Sequence, residues 1–341
     1  MISRENNFDI IRLLASLQVI IIHCIIHLEI NNISNTYIIQ LFPGVLMFFC
    51  ISGFLIMSSF DRNSNIKQYT INRVLRIFPG LYVSLIFTLF LLLIFNIIEI
   101  TELFSGPVLT WIFAQLTFFQ FWTPDILRDW GVGTPNGSLW TITVELQFYI
   151  ILPILVLCLK KIKLIYKILV LGITLTLVNY FLSINSGLNE SLIDKLVGVS
   201  FVPYLNFFLT GVIIYVFWAK IKILFEGKAF IWLIVYLSFC FFCDLKPSYH
   251  PSGFQFISNF LLSILTISAA FTYPKIGKFL KGNDISYGLY IYHMLVINSM
   301  IHLGFSKRFE HLLIAILITT ILSIFSWVLI EKKALSLKNK F

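Results

Sequence analysis

The chain has 341 residues, of which 58% are hydrophobic and only 12% charged, and it carries a net charge of +9. A soluble domain needs about a quarter of its residues charged, so a soluble fold is excluded. Unbroken apolar runs of roughly 18 or more residues, in place of the ~10-residue alternation of an outer-membrane barrel, point to spanning helices, and the positive charge reads as Lys and Arg held on one side of a bilayer, not as a nucleic-acid surface.

In chain order the expected spans are 8–28, 38–60, 77–98, 139–159, 164–184, 198–218, 229–245, 254–273, 285–303 and 312–330. The first run lacks a small-residue cleavage site and carries Arg12 and His23, so it reads as a retained helix and not a signal peptide. A further apolar stretch, 107–122, is decided by charge. With the N-terminus in the cytoplasm, the basic clusters at 4–12, 62–76, 160–167, 220–228, 275–281 and 332–340 put 20 of the 25 Lys and Arg on the cytoplasmic side. Arg128, Lys195, Lys246, Lys307 and Arg308 are the exceptions. The split holds only if 101–138 stays outside as one loop, which makes 107–122 re-entrant or interfacial; Trp111, Phe118, Phe119 and Trp122 suit an interface. The expectation is an all-α polytopic integral membrane protein of about ten transmembrane helices, both termini cytoplasmic, in the inner cell membrane. A single transmembrane domain over 1–341 is expected, with no fused soluble domain, because the longest polar stretches are short. Cys24, Cys50, Cys158, Cys240 and Cys243 all fall in apolar runs and read as buried thiols, not a disulfide framework.

The informative residues are the ionisable ones inside these runs, since each costs about 2.5–3.5 kcal/mol on insertion scales. His23 stands eleven residues after Arg12, about 16 Å deeper along a helix, near the membrane centre. Imidazole there is either a general base or a histidine satisfied by a neighbouring carbonyl. His23 and His27 have the i, i+4 spacing of two metal ligands, but no third ligand stands out and no metal is assigned. Glu145 enters from the opposite side to a comparable depth, either orienting an imidazole or tying helices together. Arg73 and Arg76 share one face at a helix entry, where guanidinium groups clamp phosphates or simply anchor the helix. Asp9 stands one turn from Arg12 and the two neutralise each other. Ser52-Gly53-Phe54 lets a backbone or ligand approach closely. Tyr287, Tyr290 and His293 line a polar tunnel or are interfacial aromatics.

Together these segments resemble membrane acyltransferase family three, the O-acetyltransferases of bacterial surface sugars, from about residue 8 to 332. Arg12 and His23, ten residues between them, look like that family's basic-X10-histidine signature. Phe48 to Leu55 resembles its FF-x-x-SGFL segment, and Arg73 to Tyr82 its R-x-x-R-I-x-P-x-Y segment. Leu139-Trp140 through Glu145 to Phe148-Tyr149 resembles its LW-x-x-x-x-E-x-x-FY helix, and Ser286 to His293 its late S-Y-x-x-Y-x-x-H segment. Glu331-Lys332-Lys333 departs from the Glu-Lys-Pro that often closes the family's last helix.

The resemblance implies a membrane O-acyltransferase that moves an acyl group, acetyl in the common case, from cytoplasmic acyl-CoA to a hydroxyl of an extracytoplasmic or lipid-linked glycan. His23 and Glu145 are the expected catalytic residues. Arg12, Arg73, Arg76, Ser52, Tyr290 and His293 are expected to hold acyl-CoA, with Asp9, Trp140 and Tyr149 in support. Acetyl-CoA is a donor substrate and no cofactor is expected; the partners are acyl-CoA, the glycan or glycolipid acceptor and the bilayer. The competing reading is a transporter or flippase of a glycan or glycolipid, which would also bury His, Glu and Arg.

Overall fold

The computed structural model describes residues 5–30, 36–159, 162–185, 192–249, 251, 254–280 and 282–339. Arg4, Lys160, Lys161, Lys281 and Lys340 of the basic clusters lie outside the described residues, as does the side chain of Cys158. Among the described residues every regular element is helical. The helices are α1 (Phe8–His27), α2 (Thr36–Gln40), α3 (Gly44–Arg62), α4 (Ile66–Ile94), α5 (Gly106–Leu116), α6 (Trp140–Leu159) and α7 (Leu164–Asn185). They continue as α8 (Leu192–Gly198), α9 (Leu205–Ile221), α10 (Ala229–Cys243), α11 (Gln255–Ala270), α12 (Ser286–His302), α13 (Phe309–Ser326) and α14 (Lys332–Ser336).

Among the described residues six helical stretches are long and apolar enough to cross a membrane: Phe8–His27, Thr36–Arg62, Ile66–Ile94, Gly137–Leu157, Val202–Leu224 and Phe309–Ser336. This is the make-up of a multi-pass membrane protein. Several expected boundaries move. The third span was expected from 77, but α4 begins at Ile66, because nothing after Asn65 breaks the helix until Pro79, which sits inside it. Arg73 and Arg76 therefore stand about two and three turns into α4, not at its entry. The last span was expected to end at 330, but a π-turn over Trp327–Glu331 joins α13 to α14 and prolongs it. The spans expected at 229–245 and 254–273 appear as shorter apolar helices of 15 and 16 residues, each under about 25 Å. Asp244, in the left-handed region at φ 50°, ends α10. The interfacial stretch 107–122 forms α5, whose 11 residues reach about 16 Å, half of a ~30 Å hydrocarbon core. Cys243 corrects the reading of all five cysteines as buried: it is exposed at the end of α10, whereas Cys24, Cys50 and Cys240 are buried.

The chain divides into two compact units. The first comprises Met1–Ala15, Tyr37–Ile66 and Val144–Asn283; the second comprises Ser16–Thr36, Lys67–Thr143 and Asp284–Phe341. In the first unit α3 and α9 pack backbone to backbone. A Cβ on Gly53 would meet the Phe208 carbonyl oxygen at 2.0 Å, and one on Gly211 would meet that of Cys50 at 2.1 Å. Between helices in an apolar medium, association rests on such close van der Waals contact, because apolar burial gives no net drive there. Aromatic rings fill the remainder: Phe148 stacks on Phe208 with centroids 4.1 Å apart, and Phe54 meets Phe8, Trp218 and Phe271.

The second unit is organised around α12, which is buried along nearly its whole length. Gly288 receives the backbone of Ser323 on α13, and Gly80 on α4 receives the ring of Tyr287. The connection before α6 folds onto α12 through asparagines. Asn298 donates through Nδ2 to the carbonyls of Thr134 (2.8 Å) and Pro135 (3.0 Å) and accepts from Val132 N–H at 3.2 Å. Asn136 donates to the Ile291 carbonyl at 2.8 Å. These bonds satisfy loop backbone groups that would otherwise be costly in an apolar setting. Gly131, at φ +59°, leaves no room for a Cβ beside Asn298.

Candidate active site

In the second unit two histidines 270 positions apart share a hydrogen bond: His23 Nδ1 lies 2.8 Å from His293 Nε2. Their rings stack, centroids 5.0 Å apart and inclined by 26°. His293 is fully buried, and its other nitrogen, Nδ1, lies 2.7 Å from the Tyr290 carbonyl one turn back on α12. His27 follows His23 on α1 with its ring centroid 5.5 Å away. Tyr290 itself is fixed: its hydroxyl donates to the Ser138 carbonyl at 3.2 Å and accepts from Thr141 Oγ1 at 2.8 Å. Local sequence explains the placement. Tyr290 and His293 are three residues apart, so they share a face of α12, and Gly288 lets that helix seat closely on α13.

The same unit contains a group of charged residues around α4. Arg76 pairs with Asp284 at 2.5 Å, the side chains being 22% and 7% exposed. Asp284 also accepts from the backbone N–H of Ser286, at the start of α12, at 3.2 Å. Arg73 lies over the Tyr69 ring, 5.7 Å from its centroid. Glu331, in the π-turn, is 2% exposed; it accepts from Ser326 Oγ at 2.8 Å and has Arg76 and Asp284 as charged neighbours. Lys338 completes the group, its carbonyl accepting from Gln68 Nε2 on α4 at 3.1 Å. Burial, and then the positive charges of Arg73 and Arg76, push the Lys338 ammonium down to about 8. Three basic groups on adjoining elements form a field suited to a polyanion.

In the first unit Glu145 on α6 accepts from Ser52 Oγ on α3 at 3.3 Å and from Tyr149 hydroxyl, one turn on, at 2.5 Å. The serine of the Ser-Gly-Phe segment and the Glu-x-x-x-Tyr pair thus meet at one carboxylate. Arg12 pairs with Asp9 at 3.2 Å. Trp140 is the first residue of α6 and is half-buried.

The sequence had singled out His23, His293, Arg73, Arg76, Glu145, Ser52 and Tyr149. It expected Glu145 as the partner of an imidazole; the carboxylate's partners in its own unit are Ser52 and Tyr149, and the partner of His23 is His293. It gave no site role to Asp284, to Glu331, read only as part of the closing Glu-Lys-Lys, or to Lys338, read only as one of the basic flank. Asp284 was legible as the acidic residue two before Ser286, just ahead of α12, where negative charge favours a helix N-terminus. Glu331 and Lys338 carry no local signal, because each sits in a C-terminal stretch that reads as ordinary charged flank.

A family model described as an acyltransferase domain matches residues 5–331. Nodulation protein 10 of Rhizobium leguminosarum bv. viciae is 30% identical, the alignment covering 98% of this chain and 94% of that protein. The O-acetyl transferase of Shigella phage Sf6 is 28% identical over 98% of this chain and 97% of its own length. Peptidoglycan O-acetyltransferase OatA of Listeria monocytogenes is 27% identical over 35% of this chain and 20% of its own length. No solved structure matches the chain significantly. With the family match spanning nearly the whole sequence, the chain belongs to membrane acyltransferase family three.

Proposed function

We propose that the protein is a membrane O-acetyltransferase that moves an acetyl group from acetyl-CoA to a hydroxyl of an extracytoplasmic or lipid-linked glycan. The observation that carries it is the His23–His293 pair. Two imidazoles joined at 2.8 Å, one of them fully buried, are ionisable groups placed where they are costly, and imidazole takes up and returns a proton near neutral pH. The names of two relatives, an O-acetyl transferase and a peptidoglycan O-acetyltransferase, support acetyl as the group moved, and the second supports a glycan acceptor.

In this reading the donor's phosphates bind to Arg73, Arg76 and Lys338, and its thioester extends to His23. His23 takes the proton of the acceptor hydroxyl as its oxygen attacks the thioester carbonyl. Glu145, held by Ser52 and Tyr149, is a second catalytic group, and Tyr290 and His293 line the donor path. Arg12, expected among the donor-binding residues, has its charge balanced by Asp9; Trp140 supports the N-terminal end of α6. Ten spans with both termini cytoplasmic, in the inner membrane, would bring a cytoplasmic donor and an outer acceptor to one protein.

The test uses membranes from cells that express the wild type or His23→Ala, supplied with radiolabelled acetyl-CoA, with label followed into envelope glycan. Label in glycan from the wild type alone supports the reading. Equal transfer by His23→Ala overturns the role of His23. No label with either, in membranes where both proteins accumulate and several acyl donors and acceptors are tried, favours a transporter of the glycan.

A further inference from the structure

The hydrogen bonds around the histidine pair fix more than proximity. A backbone carbonyl can only accept, so the 2.7 Å contact from His293 to the Tyr290 oxygen requires the His293 proton on Nδ1. That carbonyl is itself anchored, accepting from Ser138 Oγ at 3.3 Å as well. A neutral His293 then has only a lone pair on Nε2. The 2.8 Å contact from Nε2 to His23 Nδ1 is a hydrogen bond only if His23 carries its proton on Nδ1. The remaining lone pair of His23 is therefore on Nε2, on the side of the ring away from His293.

We propose that His293 is a positioning residue that holds His23 in its Nδ1–H tautomer and so makes Nε2 the base of the acyl-transfer step. This rests on the reading of His23 as that base. The step balances without any further reactant. The acceptor O–H proton passes to His23 Nε2, the oxygen forms its bond to the thioester carbonyl carbon, the C–S bond breaks, and the leaving thiolate takes the proton back from Nε2. While His23 is an imidazolium, its Nδ1–H remains bonded to His293 Nε2, which spreads the positive charge over two rings. A carboxylate would do the same work in a Ser-His-Asp triad. A neutral ring orients His23 without placing a second full charge in the apolar interior, where charge is costly. Tyr290 belongs to the same device, because its carbonyl sets the tautomer of His293 and its hydroxyl is locked between Ser138 and Thr141. His27, one turn after His23 on α1, is a further titratable ring beside the pair.

The experiment is nitrogen NMR on the full chain in lipid nanodiscs with 15N-labelled histidine, the His23 signals being assigned by their loss in His23→Gln. The expected wild-type signature is a protonated Nδ1 and an unprotonated Nε2 on His23. In His293→Leu the ring reverts to the commoner Nε2–H form and kcat falls by roughly 10²–10⁴-fold. His293→Gln, whose amide oxygen can accept from His23 Nδ1–H, restores the tautomer and much of the rate. An Nε2–H tautomer in the wild type overturns the proposal, and so does full activity in His293→Leu. If His293→Leu does not accumulate, the wild-type spectrum and the His293→Gln rate decide. The spectrum is read without turnover, so the proposed tautomer in a protein that transfers no acetyl would refute the function while leaving the role of His293 in place.

Discussion

Removing Arg76 should destabilise the protein more than removing its partner Asp284. The geometry gives the sign. Asp284 is 7% exposed and Arg76 22%, and the nearly buried Glu331 is close enough to feel both charges. In Asp284→Asn the guanidinium keeps Glu331 as an electrostatic neighbour, and the amide can still accept from Ser286. In Arg76→Gln both Asp284 and Glu331 lose the guanidinium that neighbours them. Breaking a buried pair by removing one partner costs about 3–5 kcal/mol. With Arg76 partly solvated, the low end, ~3 kcal/mol, applies to Arg76→Gln, and Asp284→Asn should cost less than half of that. At ~2 °C per kcal/mol this is a fall of about 6 °C in the thermal midpoint of detergent-solubilised protein, read by fluorescence-detected size exclusion after heating. Adding Glu331→Gln to Arg76→Gln removes one of the two carboxylate charges and should recover part of the loss. Kinetics separate stability from donor binding: Arg76→Gln raises KM for acetyl-CoA, whereas Asp284→Asn, which frees the guanidinium, leaves it unchanged or lower. If Asp284→Asn proved as damaging as Arg76→Gln, or Glu331→Gln gave no recovery, the picture of one cation serving two carboxylates would be refuted.

The α3–α9 contact predicts a contrast between glycines. Gly53→Ala, whose Cβ would lie 2.0 Å from a backbone oxygen, should sharply reduce folded protein in membranes, while Gly172→Ala, with nothing within 4 Å, should be neutral or stabilising by about 0.5–1 kcal/mol. Lys338 is held down to about 8, so its charge is present below that pH and lost above it. KM for acetyl-CoA should therefore rise as pH passes from 7 to 9, and Lys338→Met should show a higher KM at pH 7 with a flatter profile; an identical profile in the variant would remove Lys338 from the donor site. Asn298→Leu deletes three hydrogen bonds to the 132–135 segment, each worth about 1 kcal/mol, and should make that loop the first site cut in limited proteolysis of intact protein.

Much of this protein was legible without coordinates. Hydropathy is a local property of the chain, so the apolar runs located the helices, and the absence of strands among the described residues follows from the same runs. Charge asymmetry marked 107–122 as unlike the spans, and α5, with 11 residues, is shorter than the helices around it that can span a bilayer. His23, Arg73, Arg76 and Glu145 stood out because an ionisable group in an apolar run is costly wherever it ends up. The Ser-Gly-Phe segment announced a close approach, which Gly53 makes with the backbone of Phe208. What sequence could not supply was partnership. Lipid and protein interior are about equally apolar, so the periodicity that tells a soluble helix which face turns inward is weak here. Which side chains meet was therefore decided by the packing of distant helices: His23 with His293, Ser52 with Glu145, and Arg76 with Asp284. Glu331 and Lys338 acquire meaning only because the chain's last helical turns return to α4, bringing charges that look like solvated flank beside two arginines of the R-x-x-R segment.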